Sequence, residues 1–241
     1  MKDMNRARQA FRAARRVLVI TGAGISAESG IPTFRGEGGL WKGFDATQLA
    51  TPQAFDGDPE LVWEWYRWRK QICNEASPNP GHRAVAEMEH REGDFLLLTQ
   101  NVDGLHPRAG SKKLVEIHGC IDQARCTRCA SVFGVPASEG MPRCSDCGAL
   151  ARPHILWFGE SYWAGTLDRG IAFARQADFC LVVGTSGMVW APSAVAMEAK
   201  QQGAFLVDVN PEQSQISSYA DAWLAGPAGA ILPELLAEVP E

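Results

Sequence analysis

No apolar run in this sequence is long enough to cross a bilayer: the longest, such as Phe95–Leu98, fall far short of the ~20 residues a spanning helix needs. The hydrophobic stretch of a signal peptide is also missing, so a cytoplasmic protein without a membrane partner is expected. Internal repeats and low-complexity linkers are absent, and 46% hydrophobic against 21% charged residues argues against disorder. Basic excess is lacking too. With 23 Lys and Arg against 28 Asp and Glu the net charge is −5, which gives no reason to expect a nucleic-acid partner.

What is present is a length of 241 residues, enough for one large domain carrying a small insert. The first residues hold Lys2, Arg6, Arg8, Arg12, Arg15 and Arg16, with Met4, Ala7, Phe11 and Ala14 at helical spacing, and are read as a helix with a solvated basic face. Short β-type runs follow at Val17–Thr21, Phe95–Thr99, Leu114–Ile117, Phe179–Gly184 and Phe205–Asn210, with helical segments between them. That alternation predicts an α/β fold with a Rossmann-like parallel sheet. Asp58 and Pro59 open a helix with Leu61, Trp65, Trp68 and Ile72 on one face, and another helix over about 192–202 ends at Gly203. Residues 34–58, rich in Gly, Trp and Phe without a clear period, are read as a long, partly mobile functional loop.

Cys126-x2-Cys129 and Cys144-x2-Cys147 have the spacing of two knuckles folding onto one tetrahedral zinc ion. Four thiolates leave no open coordination position, so the metal is expected to be structural. A zinc ribbon that binds DNA is the rival reading, but the insert offers only Arg125, Arg128 and Arg143 and no basic helix follows. Cys73, Cys120 and Cys180 are assigned to core packing.

Val17–Thr21 runs directly into Gly22-Ala23-Gly24-Ile25-Ser26-Ala27, a G-x-G-x-x-A turn. The first glycine allows the tight turn, and the second lets backbone N–H groups approach a pyrophosphate at a helix start. By itself the hexapeptide is as often a plain turn. The acidic ribose hook of an ordinary dinucleotide fold is missing, and Val207-Asp208-Val209-Asn210 is the candidate to replace it. Polar residues also gather where strands should end: Gln100, Asn101 and Asp103 after one, His118 after another. A histidine at such an edge can serve as general base, whereas His82, His90, His106 and His154 are read as core or loop residues.

Gly22 to Gly36, Thr99-Gln100-Asn101-Val102-Asp103-Gly104-Leu105-His106, His118-Gly119, the cysteine pairs, Gly184-Thr185-Ser186 and Asn210-Pro211-Glu212 occur in this order. Together they resemble the sirtuin family of NAD-dependent protein deacylases, in particular its desuccinylase- and demalonylase-type and bacterial members. The resemblance implies a Rossmann-like domain (about 1–35, 90–119 and 153–241) and a small domain made by a helical insertion (about 36–89) and the zinc module (about 120–152). It implies NAD contacts from Gly22, Ala23, Gly24, Ser26, Ala27, Glu28, Thr33, Phe34, Arg35, Trp41, Gln100, Asn101, Val102, Asp103, Gly184, Thr185, Ser186, Asn210, Pro211, Glu212 and Ala228. In the implied reaction the acyl oxygen of a modified lysine attacks C1′ of the nicotinamide ribose and displaces nicotinamide. His118 then deprotonates a ribose hydroxyl, giving free lysine and O-acyl-ADP-ribose. Gln100 and Asn101 would hold the ribose and a water, Asp103 the nicotinamide carboxamide, while Phe34 shields the reactive carbon and Arg35 orders the loop above it.

Tyr66 and Arg69, side by side on the Asp58 helix, match the Tyr-x-x-Arg pair with which desuccinylase-type sirtuins hold an acyl carboxylate; Thr33 agrees with that subgroup. A strand from His154 to Phe158, with Gly159 and Glu160, resembles the edge that pairs with substrate peptide, so Ile155, Trp157, Phe158, Gly159 and Glu160 are the expected peptide contacts. Trp190-Ala191-Pro192 departs from the subgroup by placing its proline one position late. The expected partners are acylated-lysine proteins or peptides, and the expected state is a monomer. A non-catalytic NAD or ADP-ribose sensor and a mono-ADP-ribosyl transferase are the other readings. Intact His118 and Asn101 argue against the first.

Overall fold

A computed structural model describes residues 2–32, 43–136 and 140–237. Thr33, Phe34, Arg35 and Trp41 lie outside the described residues. The chain runs α1 (Lys2–Ala13), β1 (Arg16–Thr21), α2 (Gly24–Ala27), α3 (Ala46–Leu49), α4 (Pro52–Gly57), α5 (Pro59–Glu75), α6 (Pro80–Met88), β2 (Asp94–Thr99), α7 (Leu105–Ala109) and β3 (Leu114–Glu116). It continues through β4 (Gly119–Cys126), β5 (Val132–Gly134), β6 (Ala151–Ile155), α8 (Thr166–Ala174), β7 (Phe179–Val183), α9 (Trp190–Gln201), β8 (Phe205–Asn210), β9 (Ala222–Ala225) and α10 (Ala228–Leu236).

Six strands form an all-parallel sheet in the order β3-β2-β1-β7-β8-β9. Counting only these strands in chain order, the arrangement is 3-2-1-4-5-6, the order of dinucleotide-binding sheets, with its reversal between β1 and β7. The strands are apolar on both faces because helices cover both. Val17 and Val19 pack with residues of α1, α6 and α10, whereas Leu18 and Ile20 pack with residues of α8 and α9. This alternation with period two is what a pleated strand imposes. A separate antiparallel sheet, β5-β4-β6, is inserted between β3 and β7 and shares a second core with α3, α4 and α5.

Several expectations need correction. The basic side of α1 is not merely solvated. Arg8 donates through Nε and Nη2 to the Glu234 carbonyl at 3.0 and 2.6 Å, and Arg12 donates to Ala237 O at 3.2 Å, so these cations close the carbonyl end of α10. The described part of 34–58 is also more regular than its composition suggests. Asp45 and Gln48 form a capping box on α3, while Thr51 caps α4 with Pro52 in its first turn.

Asp58 caps α5 as expected, accepting from Leu61 N at 2.9 Å. The face of α5 turned into the core is Val62, Trp63, Trp65, Tyr66 and Cys73, with Trp63 Nε1 donating to Ala151 O. Trp65, Trp68 and Ile72 from the expected stripe also line a cavity, as does Cys73, while Leu61 and Trp68 pack against the core that holds Trp65. β6 covers Ala151–Ile155, so the expected strand at 154–158 stops at Ile155. Beyond it, Glu160 turns back to accept from Trp157 N and pairs with Arg152. The shifted proline is accommodated because α9 starts at Trp190, placing Pro192 in a first turn where a missing N–H leaves no helical bond unmade.

Candidate functional site

The reversal between β1 and β7 makes a crevice at the carboxyl ends of the strands, and the turns lining it are built from close backbone contacts. Gly22 N donates to Val183 O at 3.0 Å and Gly24 N to Gly184 O at 2.8 Å. A Cβ on Gly24 would stand 2.6 Å from Gly184 Cα, and one on Gly22 would stand 2.8 Å from Thr185 Cβ. The glycines therefore serve first to let two strand-end turns interlock. The Gly24 N–H itself is engaged by protein.

Ser26 sits on the following short helix with its side chain buried. Its hydroxyl donates to Asp103 Oδ2 at 2.7 Å and accepts from Asn101 Nδ2 at 3.0 Å, while Asn101 Nδ2 also reaches Gly22 O at 3.0 Å. Asp103 Oδ1 accepts from Leu105 N at 2.9 Å, after Gly104 turns the chain in the left-handed region (φ +70°). Burial raises the Asp103 pKa, partly countered by these hydrogen bonds and by the positive field of Arg69.

A cavity joins these residues to the inserted helix. Its walls are Ala23 and Ser26 from the glycine turn, Ile31, Pro32 and Ala46, then Trp65, Trp68, Arg69, Ile72 and Cys73 from α5, and Asn101, Val102 and Asp103 from the end of β2. Arg69 lies with its guanidinium carbon 5.0 Å from the Trp65 ring centre and 5.7 Å from that of Tyr66. Tyr66 itself is not among the wall residues. It is buried, accepts from Trp157 Nε1 at 2.9 Å, and burial pushes its pKa up to about 12, so the phenol keeps its own proton for donation.

His118 follows β3, outside the walls of this cavity. Its Nδ1 lies 3.0 Å from Gln100 O and its Nε2 3.0 Å from Tyr162 Oη. A carbonyl only accepts, so Nδ1 carries the hydrogen. Burial holds the ring pKa down to about 4, leaving the neutral imidazole with its lone pair on Nε2 and the Tyr162 hydroxyl donating to it. Gln100 Nε2 donates to Thr185 Oγ1 at 3.2 Å, linking the ends of β2 and β7.

Other expected contacts are placed differently. Asp208 is fully buried and accepts from Asn210, Ser214 and Ser217, which leaves it unsuited to hook a ribose. Asn210 also donates to Thr185 O at 3.1 Å. Ser186 accepts Gln215 N through its carbonyl, while Pro211 and Glu212 are exposed beside it. Glu28 accepts from Gly229 N at 2.8 Å, at the start of α10, and Ala228 is buried against Gly81. Ala27 ends the short α2. Phe158 and Gly159 lie past the end of β6, with Phe158 53% exposed. Sequence reasoning missed the buried chain Thr99–Thr21–His106, whose hydroxyl–hydroxyl and hydroxyl–imidazole distances are 2.8 and 2.9 Å, and it missed Tyr162. Thr99 and His106 bound the strand-end motif given above, and His106 is read there as core or loop, but no local pattern marks their link to Thr21 or marks Tyr162.

In the inserted sheet, all four sulfurs of Cys126, Cys129, Cys144 and Cys147 lie within 4.8 Å of one another. Cys126–Cys147 and Cys129–Cys144 are 3.4 and 3.6 Å apart. A tetrahedron with Zn–S bonds of about 2.3 Å has edges of roughly 3.8 Å, so the donor set fits one zinc ion. Arg128 N and Cys129 N both point at Cys126 Sγ, at 3.3 and 3.4 Å, as expected of amides supporting a thiolate.

The family model described as Sir2 family matches residues 22–191, covering the glycine turn, the strand-end residues, the histidine and the cysteine module. The chain belongs to the Sir2 family. Among the relatives of this Sir2 protein, an NAD-dependent protein deacylase of Leptospira interrogans is 52% identical, over 93% of each chain. One of Thermus thermophilus is 47% identical over 100% of this chain and 97% of its own. A solved Sir2 homolog–NAD complex superposes with a TM-score of 0.91 at 41% identity, covering 96% of this chain and 91% of that one. A Sir2 complex with a deacetylated p53 peptide and 3′-O-acetyl ADP-ribose does so with a TM-score of 0.83 at 30% identity, covering 97% of both. Among the described residues no helix is long and apolar enough to cross a membrane.

The buried histidines of this Sir2 chain give it a predictable acid response. Burial lowers His82, His118 and His154 to about 4 and His106 to about 3, from an ordinary 6.5. As pH falls from 6.5 towards 4 the unfolded chain takes up protons that the folded one refuses, so stability falls. Glu116, raised to about 7 by burial and by Asp103 and Asp122, and Asp103, also raised by burial, work in the opposite sense, but they are two carboxyls against four rings. The urea midpoint is expected to drop between pH 7 and pH 5. A midpoint that stays level or rises over that range would contradict the assignment of these rings as neutral.

Proposed function

We propose that this Sir2 chain is an NAD-dependent protein-lysine deacylase that accepts succinyl- and malonyl-lysine as well as acetyl-lysine, with His118 as general base. The observation that carries the acyl preference is the cavity wall. Arg69 shares one mostly apolar cavity with Ser26, Asn101 and Asp103, so a short aliphatic acyl chain ending in a carboxylate has a guanidinium to meet. Tyr66, paired with Arg69 in the proposed acyl pocket, stands behind the cavity wall, where Trp157 fixes it and its hydroxyl keeps its proton.

NAD, as the consumed co-substrate, supplies the ribose carbon to which the acyl oxygen is transferred. The chain's own residues bind and orient. The interlocked turns at Gly22–Gly24 and Gly184–Ser186 form the floor, Asn101 and Gln100 present amides at the strand ends, and Asp103 offers a carboxylate in the cavity wall. Neutral His118 takes a proton at Nε2. Peptide pairing is assigned to Ile155 and Trp157–Glu160, and the working unit to a cytoplasmic monomer. The Rossmann-like unit is about 1–35, 90–119 and 153–241, and the smaller one combines about 36–89 and 120–152.

The test is turnover on acetyl, malonyl and succinyl versions of one peptide, with the Arg69→Met variant alongside. Losing a forked charge pair at a largely desolvated site costs about 2–3 kcal/mol, which is roughly 30- to 150-fold. Desuccinylation and demalonylation should fall by that factor in the variant, with deacetylation within about threefold of the parent. Equal loss on all three peptides would refute the acyl-pocket assignment. Nicotinamide release that is independent of acyl peptide and accompanied by ADP-ribosylated protein would favour the transferase reading instead.

A further inference from the structure

The nitrogen that has to accept the proton is already occupied. With Nδ1–H donated to Gln100 O, the one lone pair of the neutral His118 ring is on Nε2, and Tyr162 donates to it from 3.0 Å. A ribose hydroxyl cannot use that lone pair while the phenol holds it. The rings are inclined at 35° with centres 5.7 Å apart, so the contact is a directed hydrogen bond at the ring edge rather than a stack.

Tyr162 lies between two fixed points. On one side Glu160 is held by Arg152 and by Trp157 N. On the other Trp163 stacks on His154 with centres 4.2 Å apart, and its carbonyl accepts from Thr166 Oγ1 at 2.7 Å. The backbone around Tyr162 is therefore anchored, and the economical way to free Nε2 is rotation of the tyrosine side chain, which is only half-buried. The same short segment begins with Trp157–Glu160, to which peptide pairing is assigned above, so an arriving substrate reaches Tyr162 directly.

We propose that Tyr162 is a positioning residue that latches the base: its hydroxyl occupies His118 Nε2 in the substrate-free enzyme and swings away when acyl-lysine and the ribose hydroxyl arrive. This rests on the reading of His118 as general base. Once the latch is open, the ribose O–H donates to Nε2. The O–H bond breaks as an Nε2–H bond forms, leaving an imidazolium whose Nδ1–H still points at Gln100 O. The latch keeps the base covered until both substrates are seated, at the cost of one hydrogen bond that must be exchanged before the proton moves.

Before His118 acts, nicotinamide departure is reversible, so labelled nicotinamide can be built back into NAD. The ratio of that exchange to deacylation reads how readily the base acts. In Tyr162→Phe nothing has to be displaced from Nε2. The ratio should therefore fall by roughly two- to tenfold, the worth of one neutral hydrogen bond, with KM values and the thermal midpoint close to those of the parent. Tyr162→Leu should shift the ratio the same way. An unchanged ratio overturns the latch. A raised ratio with slower deacylation overturns it too, and would make the phenol a required carrier of the proton. His118→Ala in the same assay should raise the ratio sharply. If it does not, the reading of the base has failed, whatever Tyr162 does.

Discussion

Alanine at position 118 is expected to lower the rate of deacylation by about 10²- to 10⁴-fold, the usual range for removal of a general base, while labelled nicotinamide still exchanges into NAD. The split follows from where the ring sits. Gln100 O fixes its tautomer, burial keeps it neutral down to about pH 4, and Nε2 is the only ring position with a lone pair. It stands outside the walls of the cavity that holds Arg69, Asn101 and Asp103, so losing it should spare binding and the first bond cleavage. A variant that deacylates at the parent rate would remove His118 from the reaction.

Stripping the metal should have the largest effect on the protein as a whole. Zinc held by four cysteines contributes about 10–16 kcal/mol in small peptides at neutral pH, comparable with or larger than the ~5–15 kcal/mol that holds an entire domain together. Here the metal braces a three-stranded sheet whose ends touch the chemistry: β4 begins at Gly119, next to His118, and Leu156 N, just after β6, donates to His118 O at 3.0 Å. Cys129→Ala, or prolonged treatment with a strong chelator, is expected to lower the thermal midpoint by many degrees and abolish deacylation, with recovery on returning zinc to the chelated protein. Cobalt or cadmium in its place should leave turnover nearly unchanged, because a closed sulfur shell has no position for substrate. A chelated protein that keeps its midpoint would rule out a structural metal.

The parts of this architecture that could be read from the chain are those where one physical cause dominates locally. β1, β2, β7 and β8 are apolar on both faces and stood out as runs. The cysteine spacing is dictated by one tetrahedron, and Asp58-Pro59 by the chemistry of a helix start. Where causes compete, the reading failed. Trp65 takes its place in the core, yet with Trp68 and Ile72 it also lines a cavity that its periodicity does not reveal, because a small-molecule site is itself apolar. Asp208 has the chemistry of a ribose hook, yet Ser214 and Ser217, six and nine residues later, fold back to saturate it. The capping signals at Asp45-x-x-Gln48 and Thr51-Pro52 were present in a stretch dismissed for its glycine content. Tyr162 and His106 meet their partners 44 and 85 residues away, a distance over which no spacing rule operates.

The interlocked turns beneath the crevice also constrain how this enzyme can diverge. Gly22, Gly24 and Gly184 meet main chain to main chain, and each can change only by adding a carbon where no volume exists. Such a floor offers selection no side chain to adjust, so descendants of this sequence would inherit it intact or lose the pocket altogether. New acyl preferences would then have to arise on α5, where the half-buried Trp68 and Ile72 line the cavity and can be exchanged one at a time away from that floor.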